Sequence, residues 1–200
     1  RVALAVDEWG IWTDVEPGTN PGFLYQQNSL RDALIAASTL NIFNNHCDRV
    51  RMANLAQTIN VLQAVILTNK EKMILTPTYH VMEMYNVHQN ALMIPVTTTS
   101  NDFVLGEKKI KAVSASASKD KSGDVYISLV NIDAHNEQQI TIELGEVSAK
   151  SVTGRILRSE KLQDHNSFDN PGKVKPSVFN NTALNGNSVS VKLPPFSVVV

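Results

Sequence analysis

Two carboxylates flanked by tryptophans stand near the start of the chain. Asp7-Glu8-Trp9-Gly10-Ile11-Trp12 follows directly on the apolar run Val2-Ala3-Leu4-Ala5-Val6. Charges at the C-terminal end of a buried parallel strand sit where α/β enzymes build their active sites. An aromatic ring beside a carboxylate suits sugars, because the apolar face of a furanose or pyranose stacks on the ring while its hydroxyls bond polar groups. The same residues also fit a carboxylate capping the next turn, with Trp9 or Trp12 as ordinary core. Spacing alone does not choose between these readings.

Other residues with reactive side chains fit structural roles better. His46 and Cys47 are adjacent, but adjacency in sequence does not make a catalytic dyad, and their place between a helix pattern and Val50 favours a turn and core role. His80 and His88 stand eight apart, too far for chelation from one helical turn, and no carboxylate completes a metal site. Lys70-Glu71-Lys72 and Lys108-Lys109 read as solvated faces, and Met82 and Met84 as core.

The elements that must position Glu8 fall into two stretches of different period. Over residues 1–90 short apolar runs alternate with helical patterns. Residues 2–6 form a continuous apolar run, as expected for a parallel strand covered on both faces. Leu30, Ala33, Leu34, Ala37, Leu40 and Phe43 form the stripe of an amphipathic helix, with Asn28 or Ser29 as its cap. Residues 50–55 read as a second strand, and Tyr79, Met82 and Tyr85 mark a second helix after Pro77. Strand, helix, strand, helix is the signature of βα units on a parallel sheet.

Over residues 91–200 the period is two. Val113, Ala115 and Ala117 alternate with Ser114, Ser116 and Ser118, and further sets are Val125/Ile127/Leu129, Ile140/Ile142/Leu144 and Val189/Val191/Leu193. Turn clusters at 121–124, 169–172 and 185–187 separate them. Half-buried strands at this spacing predict an antiparallel β-sandwich, and Met93-Ile94-Pro95-Val96 is a candidate first strand. The expected fold is therefore α/β plus all-β. Two βα units cannot close a sheet, and a complete (β/α)8 barrel needs about 250 residues. Residues 1–90 are thus expected to be the end of a barrel whose earlier strands lie before Arg1, and 91–200 a separate sandwich domain.

Composition narrows the partners. Hydrophobic residues make up 42% and charged residues 18%, which fits neither a disordered chain nor a membrane span. Lys+Arg (18) and Asp+Glu (19) nearly cancel, with no basic stripe for nucleic acid. Cys47 is the one cysteine, so an intrachain disulfide framework is ruled out, which fits the cytosol and equally a periplasm or cell surface. No nucleic-acid or membrane partner is expected.

Residues 2–12 resemble the nucleophile strand of the α-L-arabinofuranosidases of glycoside hydrolase family 51. The resemblance continues through Asp32-Ala33-Leu34, His46-Cys47-Asp48-Arg49-Val50 and Ala53-Asn54-Leu55-Ala56-Gln57-Thr58-Ile59-Asn60-Val61. It extends to Thr76-Pro77-Thr78-Tyr79-His80-Val81-Met82-Glu83-Met84-Tyr85 and Leu193-Pro194-Pro195-Phe196-Ser197-Val198. The resemblance implies a retaining hydrolase with a (β/α)8 barrel and a C-terminal β-sandwich, strands 7 and 8 of the barrel falling in residues 1–90. It implies Glu8 as the nucleophile, Gln57 as a hydrogen-bond partner of the arabinosyl hydroxyls, and Trp12 as an aromatic wall of the sugar pocket. The general acid/base glutamate of the family follows the fourth strand and so has no counterpart in this chain.

The implied substrate is an arabinofuranosyl-containing oligosaccharide or polysaccharide such as arabinan or arabinoxylan. No metal or organic cofactor is implied, because both steps are carboxylate chemistry with water. The implied partner of this chain is the N-terminal part of the barrel, and relatives are commonly multimeric, so a homo-oligomer is a further expectation. In isolation the chain is expected to turn over no natural glycoside, since most leaving alkoxides need protonation. The alternative reading is a non-catalytic β-sandwich module that binds sugar or supports a barrel. One departure stands out: Gly10 occupies a position where many of these relatives carry Asn.

Overall fold

The computed structural model describes residues 2–200; Arg1 lies outside them. Strand β1 (Leu4–Trp9), helix α1 (Leu30–Asn45) and strand β2 (Val50–Leu55) follow one another, and the two strands pair in parallel. Ser29 starts α1 through a capping box: its backbone N–H donates to the Asp32 carboxylate at 2.8 Å. Leu30, Ala33, Leu34 and Ala37 of the expected stripe are buried, and Leu40 and Phe43 are partly so.

The apolar run at the start of the chain departs from its expected burial. Leu4 is 45% exposed and Val2 82%. Among the described residues the sheet holding β1 contains only β2 as its partner, so a sequence suited to a covered strand lies on an open ribbon.

A hairpin that alternation does not announce follows β2, made of β3 (Ile66–Asn69) and β4 (Lys72–Leu75). Helix α2 (Pro77–Met84) then begins behind Thr76, whose hydroxyl accepts the Tyr79 N–H. Its buried stripe is Thr78, Val81 and Met84, continuing into Tyr85, whereas Tyr79 and Met82 are half-buried. The rotation has a local cause. The Thr78 hydroxyl donates to Asn28 Oδ1 at 3.1 Å and lies 2.8 Å from Asn28 Nδ2, which turns that side of α2 inward.

The remaining strands are β5 (Leu92–Ile94), β6 (Asp102–Leu105), β7 (Lys108–Lys111), β8 (Val113–Lys119), β9 (Val125–Asn131) and β10 (Gln138–Glu143). After them come β11 (Arg155–Arg158), β12 (Ser177–Val178), β13 (Thr182–Asn185), β14 (Ser188–Leu193) and β15 (Ser197–Val199). Six of these form an antiparallel sheet in the order β12-β11-β15-β9-β8-β5, and three form a second sheet, β10-β14-β13. The alternating sets around residues 113, 125, 140 and 189 are β8, β9, β10 and β14, and β5 contains Met93-Ile94. The β6–β7 hairpin stands apart.

The six-stranded sheet is covered on both faces. Val130, Leu157 and Val198 pack with Leu34, Ala37, Val81 and Met84 of the two helices. On the other face Leu129, Ile156 and Val199 pack with Val189, Val191 and Leu193 of the smaller sheet. Alternation from Leu129 to Val130 sends neighbours to opposite cores.

The alternation predicts a half-buried β8, yet its serine positions are covered as well. Ser116 is fully buried and Ser118 nearly so, because α1 and the turn after α2 lie over them. The helix meets them with polar side chains. Ser116 Oγ donates to Asn41 Oδ1 at 2.8 Å, Asn41 Nδ2 donates to Ser114 Oγ at 3.0 Å, and Asn44 Nδ2 donates to Ser116 Oγ at 3.1 Å. The Tyr85 hydroxyl completes the cluster, 3.0 Å from Asn41 Oδ1. Buried polar groups thus find partners across the seam.

Candidate active site

The parallel register sets the geometry of the site. Trp9, the last residue of β1, lies opposite Leu55, the last of β2, and the Ala56 N–H donates to the Trp9 carbonyl at 3.0 Å. Glu8 is therefore the penultimate residue of β1, and Gln57 lies two residues past the end of β2, at the same edge of the ribbon. Both side chains are exposed, and so is Asp7.

Strand alternation separates the roles of neighbours. Trp9 turns toward α1, where its ring meets Phe43 edge-on with centroids 5.3 Å apart. Trp9 thus takes the core role that spacing left open, while Glu8 is exposed, in the stretch between Val6 and Trp9 where the register of the two strands shifts. Trp12 does not join the core. It is 64% exposed and lines a shallow cavity of about 490 Å³ with Thr13, Asp14 and Val15; neither Glu8 nor Gln57 lines that cavity.

Gly10 explains the departure noted in the sequence. Its φ is +141°, a conformation that L side chains rarely adopt, and a Cβ there would lie 2.6 Å from Gln63 Cδ and closer still to the Gln63 amide nitrogen. The buried Gln63 side chain fills the space that a larger residue would need.

The segment carrying Gln57 is held by its backbone. The Gln57 carbonyl accepts the Val65 N–H at 3.2 Å, and the Thr58 carbonyl accepts the Ile66 N–H at 3.0 Å. The peptide between Ala56 and Gln57 is cis. Asn60, at φ +58°, accepts the Thr68 N–H on Oδ1 at 2.8 Å and donates Nδ2 to the Thr68 hydroxyl at 2.8 Å.

The loop that follows Glu8 is tied back on itself. The Glu16 N–H donates to the Tyr25 carbonyl at 2.9 Å, and a Glu16 carboxylate oxygen accepts the Gln27 N–H at 3.3 Å. Burial, with the Glu16 charge beside it, pushes the Tyr25 hydroxyl above its usual pKa. Gln26 is almost wholly buried within this loop, and sequence reasoning did not single it out. A lone glutamine thirteen residues from the backbone it contacts leaves no periodic or motif signal.

The other reactive side chains lie elsewhere. His46 and Cys47 form the turn between α1 and β2, His46 exposed and Cys47 half-buried. His80, on α2, has a lowered pKa because burial outweighs the nearby Glu83 carboxylate. Glu83 itself makes a bidentate pair with Arg155 of β11, at 2.7 and 2.9 Å, and that pairing lowers its pKa. His88 is enclosed against β8 and β9. Among the described residues no three His, Cys, Asp or Glu side chains come together as a metal-binding group. A larger cavity, about 690 Å³, lies between the two sheets and is lined by residues from 123 onward, including Ile127, Phe179 and Val189.

Comparison with known proteins covers nearly the whole chain. It is 49% identical over 200 residues to an intracellular exo-α-L-arabinofuranosidase of Bacteroides ovatus, of which it spans 39%. It is 28% identical over 171 residues to a probable α-L-arabinofuranosidase C of Aspergillus niger, of which the match spans 33%. Among solved structures it superposes on the family 51 arabinofuranosidase of Xanthomonas axonopodis pv. citri with a TM-score of 0.97 and 45% identity, over 99% of this chain and 40% of that one. The corresponding figures for a family 51 α-L-arabinofuranosidase of Bifidobacterium longum are 0.86 and 25%, over 98% and 41%. The chain therefore spans about two-fifths of the length of these relatives. The family model for the α-L-arabinofuranosidase C-terminal domain matches residues 7–197, and the chain belongs to that family.

Proposed function

We propose that this chain is the C-terminal part of a retaining α-L-arabinofuranosidase that removes terminal non-reducing α-L-arabinofuranosyl groups from arabinan, arabinoxylan or their oligosaccharides. The observation that carries the reading is that Glu8 and Gln57 fall at the C-terminal ends of two paired parallel strands, in a chain whose relatives along its full length are named for this activity. In this reading residues 1–90 supply strands 7 and 8 of a (β/α)8 barrel with their helices, and 91–200 a β-sandwich. The open face of β1 and β2, with Leu4 and Met52 exposed, is where the earlier strands of the barrel would pack.

Glu8 then acts as the nucleophile. One of its carboxylate oxygens attacks the anomeric carbon as the glycosidic bond breaks, and a second carboxyl group about 5–5.5 Å away protonates the departing oxygen. That second group lies on a part of the protein outside these 200 residues. Water, deprotonated by the same group, next attacks the anomeric carbon, releases arabinose and regenerates Glu8. Gln57 bonds the sugar hydroxyls, and the exposed Trp12 ring offers a flat apolar wall to the furanose.

The test is hydrolysis of an aryl α-L-arabinofuranoside by the complete enzyme and its Glu8→Gln variant. Loss of at least about a thousandfold in kcat is expected, because removal of the nucleophile blocks the glycosyl-enzyme step. Activity within tenfold of the parent would overturn the assignment of Glu8. The 200-residue chain alone is expected to give no turnover, and robust Glu8-dependent activity from it would refute the need for a second carboxyl elsewhere.

A further inference from the structure

Trp12 sits on a loop with its ring largely exposed, yet the backbone on both sides of it is fixed by one side chain. The Thr13 N–H donates to Gln26 Oε1 at 3.0 Å, and Gln26 Nε2 donates to the Ile11 carbonyl at 3.1 Å. The Gln26 amide therefore occupies the place of a neighbouring β-strand, bonding the residue before and the residue after Trp12. Gln26 is 1% exposed, so water cannot substitute for either bond without opening the loop.

Gln26 is itself well anchored. Tyr25 bridges Leu62 in parallel fashion and accepts the Glu16 N–H on its carbonyl. Two residues further on, Asn28 Nδ2 donates to the Gln63 carbonyl at 2.8 Å. The clamp thus joins the Trp12 loop to the connection that follows Gln57.

We infer that Gln26 is a positioning residue for substrate binding, holding the Trp12 backbone so that the indole face is presented to the sugar ring. The inference rests on the proposed role of Trp12 in the arabinofuranosidase site. The chemistry requires a neutral amide of this length. A carboxylate would accept from Thr13 and repel the Ile11 carbonyl, and asparagine, one methylene shorter, cannot keep both bonds at these distances.

The experiment measures kcat and KM of the complete enzyme on an aryl α-L-arabinofuranoside for Gln26→Met, Gln26→Asn, Trp12→Ala and the double variant Gln26→Met/Trp12→Ala, with thermal melts of each. Two buried backbone bonds contribute enough that Gln26→Met should lower kcat/KM about tenfold or more. The change should fall mainly on KM, since a stacking wall acts in the bound state as well as in the transition state. Gln26→Asn keeps a polar amide and guards against a failure to fold; it should show the same direction with a smaller loss. In the Trp12→Ala background Gln26→Met should cost less than about twofold, because a residue that acts through Trp12 has nothing left to position. Costs that multiply in the double variant would overturn the inference and leave the role of Trp12 intact. An unchanged kcat/KM in Trp12→Ala would overturn that role and the inference with it.

Discussion

Replacing His88 by glutamine tests how the seam between the helices and the sheet responds to pH. His88 closes the short 3-10 turn after α2, with Nδ1 2.7 Å from Ser118 Oγ, Nε2 2.6 Å from Ser128 Oγ and its ring edge-on to Tyr85. A neutral imidazole satisfies both hydroxyls, donating from one nitrogen and accepting on the other. Burial lowers its pKa from the usual 6.5 to about 4. Between those values the unfolded chain binds a proton that the folded chain does not, so the stability that neutral His88 contributes is complete above about pH 6.5 and is lost as pH falls toward 4. A shift of that size corresponds to about 3 kcal/mol over the whole window. Glutamine offers a donor and an acceptor but does not titrate. Urea unfolding of both proteins at steps from pH 7.5 to 4.5 should show the parent losing about 2–3 kcal/mol relative to the variant. Parallel curves, with a constant difference in unfolding free energy, would refute a depressed His88 pKa.

Two further substitutions probe the packing that supports the site. Gly10→Ala places a Cβ in a disfavoured conformation against the buried Gln63 side chain and should cost about 2–4 kcal/mol; denaturation within 0.5 kcal/mol of the parent would show that Gln63 yields easily. Leu157→Ala leaves a void at a fully buried position between sheet and helices and should cost about 2–5 kcal/mol, read from thermal or urea melts, with a cost below about 1 kcal/mol counting against a tightly packed seam.

Much of the strand and helix content was legible in the sequence because the period of apolar residues survives folding. The stripe from Leu30 to Ala37 marks α1, with Ser29, one of the two caps the sequence offers, at its start, and strict alternation marks β8, β9, β10 and β14. Elements without a period were not legible. β15 is three residues long and buried throughout, and β11 is four residues long with buried Ile156 and Leu157 between two exposed arginines, so neither alternates. β7 is Lys-Lys-Ile-Lys, which reads as a charged loop and pairs with β6 through backbone bonds and the Lys111–Asp102 ion pair. The serines of β8 misled in the other direction, since a small hydroxyl matches a solvated face or a polar helix equally well. At the site, Glu8 stood out as a carboxylate at the end of an apolar run, whereas the expectation for Gln57 came only through resemblance to a family. Their shared edge follows from strand register, a pairing 46 residues apart at Trp9 and Leu55 that local pattern does not encode. Gln26 was invisible because its partners are backbone atoms, which carry no sequence identity.

The hydroxyl and amide contacts between α1 and β8 bear on how such proteins could be recombined. An oily interface tolerates a new partner if volumes match, but Asn41 meets Ser114 and Ser116 in fixed donor and acceptor roles, and Asn45 Nδ2 donates to the Ala115 carbonyl at 2.9 Å. A chimera that took its helices from one relative and its sheet from another would strand several buried amides unless these positions were inherited together. A workable crossover therefore keeps residues 41–45 with 114–116, and an inventory of natural sequences should find the two stretches changing as one.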